Sequence, residues 1–233
     1  RHRQLKIAGE ICQYLAQARA EGKTFPEHTL AGRILSENGL PDLNADLDQW
    51  VAWAESKIDA GLVPLVLATD CAEHLPHADI VLAATSSTDA FITADMLKFG
   101  AVVCDMSRPS NVSREVAQLR PDVLVIDGGV IAVPGLPSLG WNFGYDKGLA
   151  YACMSETMMM ALEHRYEHAS LGVDLNIEHM NYLRDQAKAH GFALAGFRSF
   201  DEPLTDADWQ RVIDARRQGA EVAASAEAPA ISH

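Results

Sequence analysis

The sequence predicts an α/β fold: a Rossmann-like, doubly wound parallel sheet that lacks its first βαβ portion and is followed by C-terminal helices. Short apolar runs recur at 62–67, 79–84, 101–106 and 123–127. Helix-like segments separate them around 70–76, 93–99 and 111–119. Continuous rather than alternating apolar runs mark strands covered on both faces, the habit of parallel sheets. Strands alternating with helices through right-handed crossovers then give a layered α/β domain.

The elements follow in order. Residues 1–61 read as a helical segment leading into the sheet. In its first part Leu5, Ile7, Ala8, Ile11, Cys12 and Leu15 form one apolar stripe over 4–20, closed by Gly22. The stretch 23–60 is mainly helical, broken at Gly39-Leu40-Pro41, and its Trp50 and Trp53 read as packing. Residues 62–146 form the Rossmann-like nucleotide-binding portion, ending in a Gly/Pro-rich loop after Gly128-Gly129. Residues 147–218 form a C-terminal helical catalytic portion, with helices over 147–168 and 176–190 and a third from the Thr205-Asp206 cap to about Arg217. The tail, 219–233, is rich in Ala, Glu, Ser and Pro and reads as disordered.

Composition narrows the function. Among 233 residues, 19 Lys and Arg stand against 32 Asp and Glu, a net charge of −13. That balance and the absence of any basic run exclude a nucleic-acid footprint. No apolar stretch is long enough for a transmembrane helix, and Arg1-His2-Arg3-Gln4 opens no signal core. Cys12, Cys71, Cys104 and Cys153 show neither a CxxC pair nor a zinc spacing, so they read as reduced thiols of a cytoplasmic protein. A homo-oligomer is compatible with the sequence.

Ligands of open parallel sheets bind beyond the carboxyl ends of the strands. Three such ends here are small, hydroxylated or glycine-bearing, which lets a nucleotide approach the backbone. Ala84, Thr85, Ser86 and Ser87 follow one run, Ser107 and Arg108 another, and Gly128 and Gly129 a third. These eight are the candidate cofactor-binding residues. Arg108 suits either a phosphate or a loop-stabilising ion pair with Asp105. No G-x-G-x-x-G is present, and Gly140, Gly144 and Gly148 follow a loop rather than a strand. The expectation is therefore a first βαβ portion lying outside this sequence, which would set Arg1 and Arg3 near the 2′-phosphate of NADPH.

Cys153 and Glu156 stand three apart near the start of the long helix and share a face. A carboxyl beside a thiol allows proton transfer around a nucleophile, whereas the residues alone favour a buried structural cysteine. Met158-Met159-Met160 reads either as core or as the lining of an apolar channel. His164-Arg165-Tyr166-Glu167-His168 fits H-x-x-E-H on a helix, but a charged helix end accounts for it and no metal site is expected.

From about Val63 to Phe200 the chain resembles the C-terminal half of the long-chain acyl-(acyl carrier protein) reductases. The likeness is carried by Leu75-Pro76-His77-Ala78-Asp79-Ile80-Val81, the Asp127-Gly128-Gly129 turn, Ala152-Cys153-Met154-Ser155-Glu156 and His190-Gly191-Phe192. The resemblance implies NADPH-dependent reduction of a long-chain fatty acyl thioester to a fatty aldehyde. It makes Cys153 the acyl-accepting nucleophile, with Glu156 beside it and acyl carrier protein or acyl-CoA as substrate carrier. The alternatives are another NAD(P)-dependent Rossmann dehydrogenase, shikimate- or glutamyl-tRNA-reductase-like, or a non-catalytic nucleotide-binding domain.

Overall fold

The computed structural model describes residues 1–140, 145–170 and 176–227. The chain divides into two compact units, Arg1–His74 and Leu75–His233.

The first unit is helical. It comprises α1 (His2–Ala20), α2 (Leu30–Ser36), α3 (Leu47–Asp59) and the short α4 (Cys71–His74). The Thr29 hydroxyl accepts from the Gly32 amide at 3.1 Å, and the Asp46 carboxylate accepts from the Gln49 amide at 2.9 Å, so α2 and α3 both start on side-chain caps. α1 packs closely on α3 because position 9 is glycine: a Cβ there would stand 2.9 Å from the Val51 amide nitrogen. Cys12, Ile34, Trp50 and Ala54 are fully enclosed at the centre.

One expected strand is absent. Residues 62–67 stay irregular, and Val63 and Leu65 pack into the helical core instead. Pro64 has no N–H to give a ladder, which disfavours a central strand there. Arg1, expected near a nucleotide phosphate, pairs with Asp59 at 2.6 Å.

The second unit holds the parallel sheet, in the order β1 (Ile80–Ala83), β2 (Val102–Asp105), β3 (Leu124–Asp127). The α/β class and three of the four expected strands are therefore present. The register aligns Val81, Val103 and Val125 across the sheet, then Ala83, Asp105 and Asp127 at its carboxyl edge. The valines form a core with Ile92, Val112 and Val116, the last from the one-turn α5 (Val116–Leu119). The sheet was expected to be covered on both faces, yet Ile80 and Leu82 are 69% and 68% exposed on the other face of β1.

After Gly129 turns the chain with φ +77°, β4 (Val130–Ala132) pairs antiparallel with β5 (Leu149–Tyr151) and with β6 (Ala193–Leu194). The long helix expected from 147 accordingly begins later and ends earlier, as α6 (Ala152–Leu162), because residues 149–151 are taken into the ladder. Met159 and Met160 are buried on it. α7 (Ile177–His190) starts on Asn176, whose side chain accepts from the His179 amide at 3.0 Å, and stops at the left-handed Gly191. A hairpin of β7 (Arg198–Ser199) and β8 (Glu202–Pro203) precedes α8 (Asp206–Glu227).

α8 corrects the expected disorder through residue 227, while 228–233 lie outside the described residues. Alanine and glutamate favour helix, and α8 is anchored before the tail. Gly219 sits against the Phe99 ring, and Arg216 donates to the Asp122 carbonyl at 3.3 Å.

Candidate functional site

At the carboxyl edge of β2 the Asp105 carboxylate organises the loop that follows. It is fully buried and accepts from the Ser107 amide at 2.9 Å, the Ser110 hydroxyl at 2.7 Å, and the Asn111 and Val112 amides at 2.7 and 3.0 Å. Burial works to raise its pKa, but the hydrogen bonds from Ser110, Ser107, Val112 and Asn111 outweigh it and hold the carboxyl below its ordinary range. Asp105 thus serves the loop rather than an ion pair with Arg108.

The hydroxyls expected to hold a cofactor are largely engaged with one another. The Thr85 amide donates to the Ser107 hydroxyl at 3.0 Å, and the Thr85 hydroxyl donates to the Asn111 side-chain oxygen at 2.6 Å. The Asn111 side chain in turn donates to the carbonyls of Ser87 and Asp89. Ala84 and Ser86 are exposed beside this stitching. Gly128 lies against Met106, where a Cβ would approach its Cγ to 2.5 Å, and its amide donates to the Asp105 carbonyl at 2.8 Å. Of the eight candidates, Arg108 lines an open cleft.

That cleft, about 480 Å³, brings Arg108 and Arg114 together with Asp127 and Asp201, and Tyr151 and Phe200 add ring surface. Arg108 donates to the Tyr145 hydroxyl at 3.1 Å and to the Ser107 carbonyl at 2.9 Å, both neutral acceptors. Asp127 accepts from the Asp201 amide at 2.6 Å, which ties the β7–β8 turn to the sheet. Phe200 and Asp201 both adopt positive φ in that turn, an uncommon conformation for a bulky ring. Arg198, only 5% exposed, donates to the Asp201 carbonyl and leaves Nε without a partner among the described residues.

A second cavity, about 510 Å³, opens at the start of α6. Cys153 and Glu156 both line it, as their spacing on one helix face requires. Cys153 is exposed and stands in the first turn, which corrects the reading of a buried thiol deeper in the helix. Glu156 accepts from His179 across 2.8 Å and from the Ser170 hydroxyl. Ser155 is 1% exposed, lines the same cavity, and its hydroxyl has no partner among the described residues. The rest of the wall is mainly apolar, including Ile131, Met159, Leu183 and Phe192, with Arg184 and Lys188 at exposed positions of α7.

Arg198, Asp201 and His179 carry no motif, and only the tertiary fold brings them to these sites; Ser155 lies within the run that carries Cys153 and Glu156 but was not singled out from it. The H-x-x-E-H run falls after α6 has ended, and among the described residues no group of His, Cys, Asp and Glu could hold a metal ion. Among the described residues, no helix is long and apolar enough to cross a membrane.

No family model matches the chain. Over 156 residues it is 31% identical to the aminotransferase PigE of a Serratia species, a stretch covering 66% of this chain and 18% of that relative. The chain therefore spans less than a fifth of the relative's length. This match overturns the activity inferred from sequence. The relative is named an aminotransferase, which contradicts the NADPH-dependent acyl-thioester reductase, its dehydrogenase alternatives and the oxidoreductase class. The NADPH expectation falls with them. The carboxylates of Asp127 and Asp201 in the cleft also disfavour a polyanionic dinucleotide there.

Proposed function

We propose that this chain is a substrate-binding part of an aminotransferase-type enzyme, and that the α6 cavity receives an apolar carbonyl compound. The observation that carries this reading is the Ser155 hydroxyl, buried and without a partner among the described residues, in a cavity with mainly apolar walls. An unmet buried donor is costly, and a carbonyl oxygen satisfies it without bringing charge into the cavity. The 31% match supplies the reaction class. In this proposal Ser155 orients the carbonyl, and Glu156, held by His179, moves a proton at its oxygen. Cys153 bounds the mouth. The parallel sheet beneath is read as Rossmann-like, and the four free cysteines suit a reducing cytoplasm.

Amino transfer draws on a pyridoxal-phosphate coenzyme, which needs a lysine for its aldehyde and an acid or arginine at its ring nitrogen. Neither cavity encloses such a set among its described lining residues. Lys57 is bound to Glu37 and Lys98 to Asp79. Lys188 and Arg184 line the α6 cavity from exposed positions of α7, where water screens both, and the carboxylate there, Glu156, is held by His179 and Ser170. The cleft has arginines and no lysine among its described lining residues. No step is assigned to the coenzyme in this chain.

Calorimetric titration with methyl ketones of increasing length tests the reading. Each buried methylene is worth about 0.8 kcal/mol, so affinity rises about fourfold per carbon until the cavity is full. Leu183→Asp abolishes the trend, and Ser155→Ala weakens every ketone alike. Equal binding of short polar keto acids and long ketones refutes it.

A further inference from the structure

We infer that the α6 cavity enolises the carbonyl compound it binds: Glu156 takes a proton from the carbon beside the carbonyl while Ser155 holds the oxygen. This rests on the reading of the cavity as a site for an apolar carbonyl compound, and it adds a carbon–hydrogen step that uses only residues of this chain.

The carboxylate is anchored through one of its two oxygens. Glu156 Oε1 accepts from His179 Nε2 at 2.8 Å and from the Ser170 hydroxyl, whereas Oε2 has no partner among the described residues. An ionised carboxylate only accepts, so the imidazole carries its hydrogen on Nε2. His179 is itself fixed. Its side chain is 8% exposed, its ring stacks on Tyr182 with centroids 6.1 Å apart, and its amide donates to the Asn176 side chain at the start of α7. His179 is thus a positioning residue: it pins one oxygen of Glu156 and leaves the other to act in the cavity that Glu156 lines.

Taking a proton from carbon beside a carbonyl leaves a negative charge that resonance places on the oxygen. A carboxylate manages this only where a donor meets that oxygen as the charge develops. Ser155, next to Glu156 in sequence, supplies the donor: its hydroxyl is buried without a partner among the described residues, and it lines the same cavity. Arg184 and Lys188 line the cavity from exposed positions, where water screens them, so the task falls mainly to the serine. The walls formed by Ile131, Met159, Leu183 and Phe192 strengthen a hydrogen bond to developing charge relative to water.

The step balances within the site. The α C–H bond breaks and its electron pair forms a C=C bond, the carbonyl π pair moves onto the oxygen held by Ser155, and the proton bonds to Oε2. In the reverse step the carbon takes back a hydron from the same carboxyl after that group has exchanged with water. Nothing is oxidised or reduced. The carbonyl oxygen and the α carbon lie two bonds apart, so one carboxylate serves both.

Proton NMR of methyl pentyl ketone with the full chain in deuterated water tests the inference. The α-proton signals disappear at a rate that saturates with ketone concentration. Glu156→Gln still binds the ketone in calorimetry but exchanges about 10²–10⁴-fold more slowly, the usual worth of a positioned base. Ser155→Ala, read at saturating ketone, slows exchange by about 10²–10³-fold, the worth of one oxyanion donor. His179→Ala lowers the saturated rate, and His179→Gln, whose amide can donate to Oε1, recovers part of it. Saturable ketone binding with exchange no faster than in chain-free buffer overturns the inference and leaves the cavity reading standing. Exchange that survives Glu156→Gln or Ser155→Ala at the wild-type rate overturns it as well. Absence of ketone binding to the folded wild-type chain overturns both.

Discussion

Replacing Asp105 by asparagine tests whether one buried carboxylate organises the cleft. The two side chains are nearly isosteric, so packing is unchanged and the effect is confined to hydrogen bonding. Asparagine offers one acceptor oxygen. Placed at Oδ2 it keeps the bonds from Ser110, Asn111 and Val112, now neutral, and sets its amide group against the Ser107 N–H. Charged bonds are worth about 1.5–3 kcal/mol and neutral ones about 0.5–1.5. The three surviving bonds together therefore lose about 3–4.5 kcal/mol. The orphaned Ser107 donor adds about 1–3 kcal/mol, and the lower cost of burying a neutral group returns part of this.

The expected net loss is about 3–5 kcal/mol. With a urea m-value of about 1–3 kcal/mol/M, it shifts the unfolding midpoint by over about 1 M at unchanged m. Hydrogen exchange at the Asn111 and Val112 amides reports the same loss locally. The pH dependence carries a definite sign. Because the folded carboxyl titrates below its ordinary 3.8, the unfolded chain binds more protons in that window, and stability falls as pH drops toward and through the folded value. The variant lacks that part of the acid sensitivity. A loss under about 1 kcal/mol, or an unchanged acid limb, refutes the reasoning.

Two further outcomes follow from burial. Burial pushes the Cys12 thiol up to about 11, whereas Cys71 and Cys153 are exposed; iodoacetamide at neutral pH, read by mass spectrometry, therefore labels Cys71 and Cys153 and reaches Cys12 only after denaturation. Gly9→Val drives a branched side chain into the Val51 backbone and destabilises the helical unit by about 1–3 kcal/mol; a melt matching wild type would show that α1 and α3 do not pack this closely.

The three paired strands were legible because Val81, Val103 and Val125 sit in short apolar runs of strand length that recur between turn signals. The run at 62–67 has the same composition but holds Pro64 and packs into helices, a choice set by tertiary contacts that a local pattern does not contain. Likewise Leu149–Tyr151 joins β4 although its residues suit a helix. At the sites, the Cys153–Glu156 spacing correctly put both side chains on one wall. The serine and threonine ends misled in detail, since their hydroxyls serve neighbouring loops. Partners far apart in sequence, such as His179 for Glu156 or Asp201 for Asp127, follow from folding alone.

The short β5 ladder also constrains what this protein can become. Tyr151 faces the cleft and Cys153 the α6 cavity, so one stretch of backbone forms a partition between two chambers. Its pairing, Val130 with Tyr151 and Ala132 with Leu149, fixes which side chain enters which chamber. A one-residue slip turns every strand side chain to the opposite face. Substitutions in 149–153 can retune either chamber independently. An insertion or deletion there scrambles both at once, so ligand specificity can drift by residue identity but not by segment length.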